Sequence, residues 1–151
     1  MTAIGSGEGL PIGPDWVIRM TASVIHLAPR DAFDFLKENP QAVLVDVRSE
    51  MEFLFVGHPK DALSIPWRDE PDWEINPDFL VRVRRATSLN RPVVLICRSG
   101  HRSSEAGLFL EANGLGAVYN VTHGFEGDLN EQHCRSSLNG WRFEGLPWEQ
   151  C

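Results

Sequence analysis

The hydrophobic pattern alternates between short apolar runs and segments with helical spacing. Residues 42–45 and 92–97 are apolar on both faces, as are the buried strands of a parallel sheet. Residues 117–121 predict a third strand of this kind, and residues 62–65 predict a short one that Pro66 ends. The chain therefore carries the apolar runs of a sheet that is covered on both sides.

Helical segments are predicted between these runs. Apolar residues recur at helical spacing over residues 29–38, 78–88 and 99–113, and residues 51–56 predict a further helical turn. The last part of the chain predicts a helical segment followed by a tryptophan-rich tail. Strands that alternate with helices predict an α/β fold with a mainly parallel sheet and helices on both faces.

Length and charge narrow the classes of protein. The 151 residues suit one domain, which we place at residues 21–151, with a flexible leader over residues 1–20. The leader lacks the basic start and apolar core of a secretory signal, and no apolar run is long enough to span a membrane. With 14 basic and 21 acidic residues the net charge is −7, which weighs against nucleic-acid or anionic-membrane partners.

The three cysteines do not form the pattern of a structural framework. Cys97, Cys134 and Cys151 are too few for a disulfide scaffold, and their spacing predicts no zinc site. We therefore expect no metal, and a reducing cytoplasm as the location. Cys134 is either a resolving thiol for an oxidised Cys97 or an incidental loop residue.

One loop has the composition of a reactive site. It follows a predicted strand, precedes a predicted helix, and consists of Cys97, Arg98, Ser99, Gly100, His101, Arg102 and Ser103. In parallel sheets ligands bind beyond the carboxyl ends of the strands. Backbone N–H groups, a helix N-terminus and nearby cationic side chains all favour thiolate over thiol, and the thiolate is the nucleophile. The alternative is an inert, buried cysteine beside solvated arginines.

This loop resembles the active-site loop of the rhodanese family, Cys-x-x-Gly-x-Arg-Ser/Thr. A second family signature is matched by Asp46-Val47-Arg48, Glu52-Phe53, Gly57-His58, Ala62 and Ile65-Pro66, with departures at Pro59, Asp61 and Ser64. A third element is matched by Tyr119-Asn120-Val121, Gly124 and Gly145-Leu146-Pro147-Trp148. The sequence departs from the family pattern in a C-terminal insertion and tail at about residues 125–151.

The resemblance implies a rhodanese-like, five-stranded sheet and a sulfurtransferase that needs no cofactor. Sulfane sulfur would pass from thiosulfate or a persulfide donor to a thiol or cyanide acceptor through a persulfide on Cys97, and the acceptor could be a protein. Arg98 and His101 are candidates for recognising the donor, whereas Arg102 would brace the loop. The family also implies a protein that can work as a monomer, or at most a weak dimer.

Two alternatives to a sulfurtransferase remain open at this point. The first is a regulatory or persulfide-carrier module without turnover. The second is a cysteine phosphatase or arsenate reductase, although those loops have five residues between Cys and Arg, whereas four separate Cys97 from Arg102. The shorter loop favours a single sulfur atom over a phosphoryl group.

Three further residues are expected to support the site. Asp46 and Arg48 follow a predicted strand and either tune the loop electrostatically or form a structural ion pair, for which Glu52 is the partner at helical spacing from Arg48. Trp67 follows another strand end and is the tryptophan expected at the mouth of the active site. His58 is expected to be structural.

Overall fold

The computed structural model describes residues 24–88 and 91–151, so the leader expected over residues 1–20 lies outside the described residues. Seven strands are present in this part of the chain: β1 (Val24–Leu27), β2 (Val43–Asp46), β3 (His58–Pro59), β4 (Leu63–Ser64), β5 (Val93–Ile96), β6 (Val118–Val121) and β7 (Trp148–Glu149). The helices are α1 (Pro29–Glu38), α2 (Phe79–Ala86) and α3 (His101–Ala112), and a π-helical turn covers Glu52–Val56.

The main sheet has five strands in the order β1–β6–β5–β2–β4, and every neighbouring pair is parallel. The two remaining strands, β3 and β7, form a small antiparallel pair. The predicted α/β class and the mainly parallel five-stranded sheet are therefore confirmed. Parallel strands end on the same edge, so the segments after β2 and β5 come together there.

The two faces of the sheet bury separate hydrophobic cores, because successive strand residues point to opposite sides. On one face, strand residues such as Val45 and Leu95 pack with residues of α2 and α3. On the other face, Leu44 and Ile96 pack with residues of α1 and of the C-terminal segment. Helices on both faces are thus found as predicted, and all four residues of β5 are buried.

The structure differs from the sequence prediction in three strands that were not predicted, β1, β3 and β7, and in one predicted helix. The pattern did not indicate β1, in which Val24 and Leu27 are half-buried while Ile25 and His26 are exposed, because this edge strand is neither alternating nor continuously apolar. The helical segment predicted near the C-terminus is wrong, since residues 122–147 contain turns, bends and irregular backbone but no helix. Four glycines in these turns have φ between 64° and 110°, which no right-handed helix accommodates: Gly124, Gly127, Gly140 and Gly145.

The C-terminal segment nevertheless packs as part of the domain. Phe125, Trp141 and Leu146 are almost completely buried and belong to the second core. None of the helices in the described residues has both the length and the apolar character of a membrane span.

Candidate active site

Cys97 lies directly after β5 and is 1% exposed. Its Sγ accepts a hydrogen bond from the backbone N–H of Gly100 at 3.1 Å and contacts the Ser103 hydroxyl at 3.2 Å. Gly100 adopts φ +107°, a conformation that glycine reaches without steric cost, and this turns its N–H towards the sulfur. The Gly100 N–H therefore faces the sulfur, with the Ser103 hydroxyl beside it, and a polar hydrogen in this position stabilises a negative charge on the sulfur.

The Ser103 hydroxyl is part of a hydrogen-bond chain that runs from the buried site to the exposed His26. Its Oγ also donates to Asn120 Oδ1 on β6, and Asn120 Nδ2 lies 3.1 Å from His26 Nδ1 on β1. The hydroxyl has one proton, so Cys97 and Asn120 compete for it. The sequence matches Asn120 to an element of the family pattern but does not identify it as a site residue; its contact with Ser103 appears only in the structure.

Arg102 points to a carboxylate across the site. Its guanidinium binds Glu52 through N–O distances of 2.8 and 3.0 Å. Glu52 is itself held by Ser49, because each residue's side chain accepts the backbone N–H of the other at 3.2 Å, as in a helix capping box. Arg102 therefore braces the loop against the π-helical turn, in agreement with the role that the resemblance implies for it.

The charge state of this pair is set by its surroundings. Burial acts to raise the pKa of Glu52, but the hydrogen bonds and charge of Arg102, with help from Ser49, outweigh it and lower that pKa from 4.5 to about 2. Burial acts to lower the pKa of Arg102, and the contact with Glu52 reverses this and raises it. Both groups are charged at neutral pH.

Asp46 and Arg48 form a buried ion pair with each other, with both side chains 0% exposed. Arg48 Nε donates to Asp46 Oδ1 at 2.9 Å and Nη2 donates to Oδ2 at 2.6 Å, while Nη2 also donates to the carbonyl of Gly57. The expected pairing of Arg48 with Glu52 is wrong, because Glu52 is bound to Arg102. The geometry favours the structural interpretation of Asp46 and Arg48.

The expected position of Trp67 at the mouth of the site is also wrong. Trp67 is 2% exposed and packs against Phe79 and Phe109, with ring centroids 5.0 and 5.1 Å away. Its indole N–H donates to Glu105 Oε1 at 2.6 Å. The indole is a large apolar group that packs into the core between the sheet and helices α2 and α3. It therefore does not extend to the site.

A cavity of about 720 Å³, here called the active-site cavity, opens beside the loop, although the buried Cys97 is not itself part of its wall. Arg98 and Arg102 line it from the cysteine loop, whereas His101 is exposed and is not part of its wall. The other walls are contributed by Ser49, Met51, Glu52, Phe55, Val56, Glu70, Trp73 and Glu126. Met51, Phe55 and Trp73 are 52%, 61% and 42% exposed, so the cavity has an apolar rim.

The C-terminal segment fixes the backbone of the cysteine loop. The Cys97 carbonyl accepts the N–H of Phe125 at 2.8 Å, and the Arg98 carbonyl accepts those of Glu126 and Gly127 at 3.0 and 3.1 Å. These bonds hold both carbonyls away from the sulfur, leaving the Gly100 N–H to face it. Part of the predicted insertion and tail is thus structural support for the site.

The remaining candidate residues lie outside this arrangement. Cys134 and Cys151 are exposed free thiols, and the Cys134 thiol contacts the carbonyl of Gln132 at 3.7 Å. His58 stacks on Phe53 at 3.8 Å between ring centroids. Within residues 24–88 and 91–151, no cluster of three His, Cys, Asp or Glu side chains could hold a metal ion.

Comparison with known proteins agrees with this fold. The profile of the rhodanese-like domain matches residues 30–131, and the chain belongs to this family. It is 38% identical to the protein in the crystal structure of Rv0390 from M. tuberculosis, with a TM-score of 0.77 over 86% of this chain and all of that one.

Curated relatives cover nearly the same part of the chain. An uncharacterised protein of Rickettsia conorii, RC0915, is 33% identical over 84% of this chain and 98% of its own length. The thiosulfate sulfurtransferase GlpE of Actinobacillus pleuropneumoniae is 27% identical over 86% of this chain and 97% of its own length.

Proposed function

We propose that this protein is a sulfurtransferase in which the Cys97 thiolate carries sulfane sulfur as a persulfide. The observation that carries the proposal is the polar surroundings of the sulfur: the Gly100 N–H donates to it at 3.1 Å, and the Ser103 hydroxyl, shared with Asn120, lies 3.2 Å away. Membership of the rhodanese-like family and the similarity to a thiosulfate sulfurtransferase support it.

The reaction has two half-steps. The thiolate attacks the outer sulfur of thiosulfate, a new S–S bond forms, and the S–S bond of thiosulfate breaks so that sulfite leaves with the electron pair. An acceptor thiolate then attacks the outer sulfur of the persulfide, and Cys97 leaves as thiolate. A low-molecular-weight persulfide can replace thiosulfate as the donor, in which case its thiolate is the leaving group.

Arg98 is the residue best placed to attract an anionic donor. It lines the active-site cavity, and among the described residues it has no carboxylate within ion-pair distance. Arg102, by contrast, is neutralised by Glu52. Thiosulfate and a phosphoryl group are both dianions, so charge does not separate the two reactions. The spacing of four residues between Cys97 and Arg102, one shorter than in the loops of cysteine phosphatases, favours sulfur transfer.

The acceptor that fits the cavity is an organic thiol. The rim residues Met51, Phe55 and Trp73 expose apolar surface that cyanide would leave uncovered. A thiol with an apolar body, whether small or part of a protein, would bury this surface. Because a thiolate nucleophile persists in a reducing compartment, we propose the cytoplasm as the location.

The test is to incubate the protein with thiosulfate and to measure its intact mass. We expect the gain of one sulfur atom in the wild type and in Cys134→Ser, and no gain in Cys97→Ser. Adding a thiol acceptor should then remove the sulfur repeatedly, which distinguishes turnover from simple carriage. Release of phosphate from an aryl phosphate without any sulfur uptake would overturn the proposal.

A further inference from the structure

A second cavity, of about 290 Å³, lies beside α1 and shares no lining residue with the active-site cavity. We call it the lysine cavity; its walls are Phe33, Leu36, Lys37, Pro40, Ala42, Leu44, Lys60, Asp61, Trp141 and Pro147. Leu44 pairs in the sheet with Val94, which precedes Cys97 by three residues. Three strand residues span about 10 Å, so this cavity is separate from the reacting sulfur.

The walls of the lysine cavity are mostly apolar and well ordered by packing. Phe33 and Trp141 meet edge to face, with ring centroids 5.9 Å apart. The indole N–H of Trp141 donates to the carbonyl of Pro147 at 2.8 Å, so its polar atom is satisfied within the wall. Such a wall suits a flat apolar group, and the volume is close to the lower end of small-molecule sites, about 300 Å³.

Both lysines of the protein line this one cavity. The sequence contains twelve arginines but only Lys37 and Lys60 as lysines. The ammonium of Lys37 lies 5.1 Å from the centroid of the Phe33 ring, which keeps it at the wall. The backbone N–H of Lys60 donates to Pro147 at 3.1 Å, which fixes the base of that side chain. Neither ammonium forms an ion pair with a described residue.

Asp61 is the one acidic residue in the wall, so the lining carries one net positive charge. An apolar cavity with unpaired ammonium groups is complementary to an organic anion. We propose that the lysine cavity binds a small organic monoanion, a carboxylate on a flat apolar body, at a site separate from the sulfur-transfer site. The carboxylate contacts the lysines, and the apolar body lies against Phe33, next to the buried Trp141.

The test uses 2-naphthoate as the probe and the ¹⁵N-labelled full chain. Titration followed by ¹H–¹⁵N NMR should move the Trp141 indole cross-peak, assigned with Trp141→Phe, along a saturable curve and leave the Trp67 indole in place. The double variant Lys37→Gln/Lys60→Gln should weaken binding by about tenfold or more, and the neutral 2-naphthalenemethanol should bind the wild type about tenfold more weakly.

The matched control is Arg82→Gln/Arg85→Gln, which removes the same charge from exposed positions on α2 and should leave the affinity unchanged. An affinity equal in the two double variants, or equal for the acid and the alcohol, would show that the lysines do not recognise the carboxylate. The absence of any saturable shift in the wild type would overturn the site altogether. Sulfur uptake from thiosulfate, measured on the same samples, reports independently on the function proposed for Cys97.

Discussion

Glu52 and Arg102 are joined across the active-site cavity by two N–O contacts of 2.8 and 3.0 Å. Glu52 belongs to the π-helical turn and Arg102 to the first turn of α3, so the pair connects the segment after β2 with the segment after β5. The loop that carries Cys97 is therefore fixed by a contact between residues fifty positions apart in the chain.

The first prediction concerns the pH dependence of stability. The pKa of Glu52 is lowered from 4.5 to about 2 in the folded protein, so its ionised form stabilises the fold above pH 4.5, and this contribution is lost as the pH falls towards 2. The free energy of unfolding should depend less on pH in Glu52→Gln than in the wild type. The difference between the two slopes across this window is up to about 1.4 kcal/mol per pH unit. Urea unfolding at a series of pH values measures the difference.

The control for this experiment is Glu131→Gln, which alters an exposed acid that has no ion-pair partner among the described residues. Its pH profile should follow the wild type. A Glu52→Gln profile parallel to that of the wild type between pH 4.5 and 2 would show that the ion pair does not contribute in this way.

The second prediction concerns the Ser103 hydroxyl. Ser103→Ala removes one of the two donors near the Cys97 sulfur, at 3.2 Å, while the Gly100 N–H remains. A hydrogen bond to a charged acceptor contributes about 1.5 kcal/mol, so persulfide formation should slow by about tenfold. Ser104→Ala, at the next residue, is the control and should react at the wild-type rate in rapid-quench measurements of sulfur uptake. Equal rates for the two variants would exclude a role of the hydroxyl.

The sequence predicted features that depend on neighbouring residues better than it predicted contacts between residues far apart in the chain. Strands such as β5 and the loop from Cys97 to Ser103 could be predicted because their apolar runs, glycine and charges are adjacent in sequence. Which groups meet across the fold is decided by strand order and helix packing. Asn120 reaches Ser103 because β6 lies beside β5, and Glu52 pairs with the distant Arg102 while Arg48 pairs with Asp46.

The third prediction concerns anion recognition by Arg98. Its side chain is exposed and lines the active-site cavity, so we expect it to attract the donor rather than to hold the loop. Arg98→Gln should raise the KM for thiosulfate by about five- to tenfold, leave kcat nearly unchanged and reduce the salt dependence of kcat/KM. The matched control is Arg85→Gln, which removes the same charge from an exposed position on α2 and should leave these constants unchanged. A lower kcat with an unchanged KM would contradict this role.

The last prediction concerns Gly124, which lies against the peptide group that follows Cys97. A Cβ at this position would lie 2.4 Å from the Cys97 carbonyl oxygen and 2.6 Å from the Arg98 carbonyl carbon, and these are backbone atoms that no rotamer change can move aside. Gly124→Ala should therefore displace the loop that carries the sulfur. We expect a loss of more than about 3 kcal/mol in unfolding free energy and no measurable sulfur uptake in the fraction that folds.

The loss expected for Gly124→Ala has two possible causes, the positive φ of the residue and the close approach of the added Cβ to the loop. Gly145→Ala separates them. Gly145 has φ +75°, close to the +64° of Gly124, but a Cβ there would have no heavy atom within 4 Å. Gly145→Ala should cost only about 1 kcal/mol and retain sulfur uptake. If both variants lose the same stability and both keep a reactive Cys97, the approach of Gly124 does not set the position of the loop. If only Gly124→Ala loses sulfur uptake, the contact between the C-terminal segment and the cysteine loop is what holds the nucleophile in place.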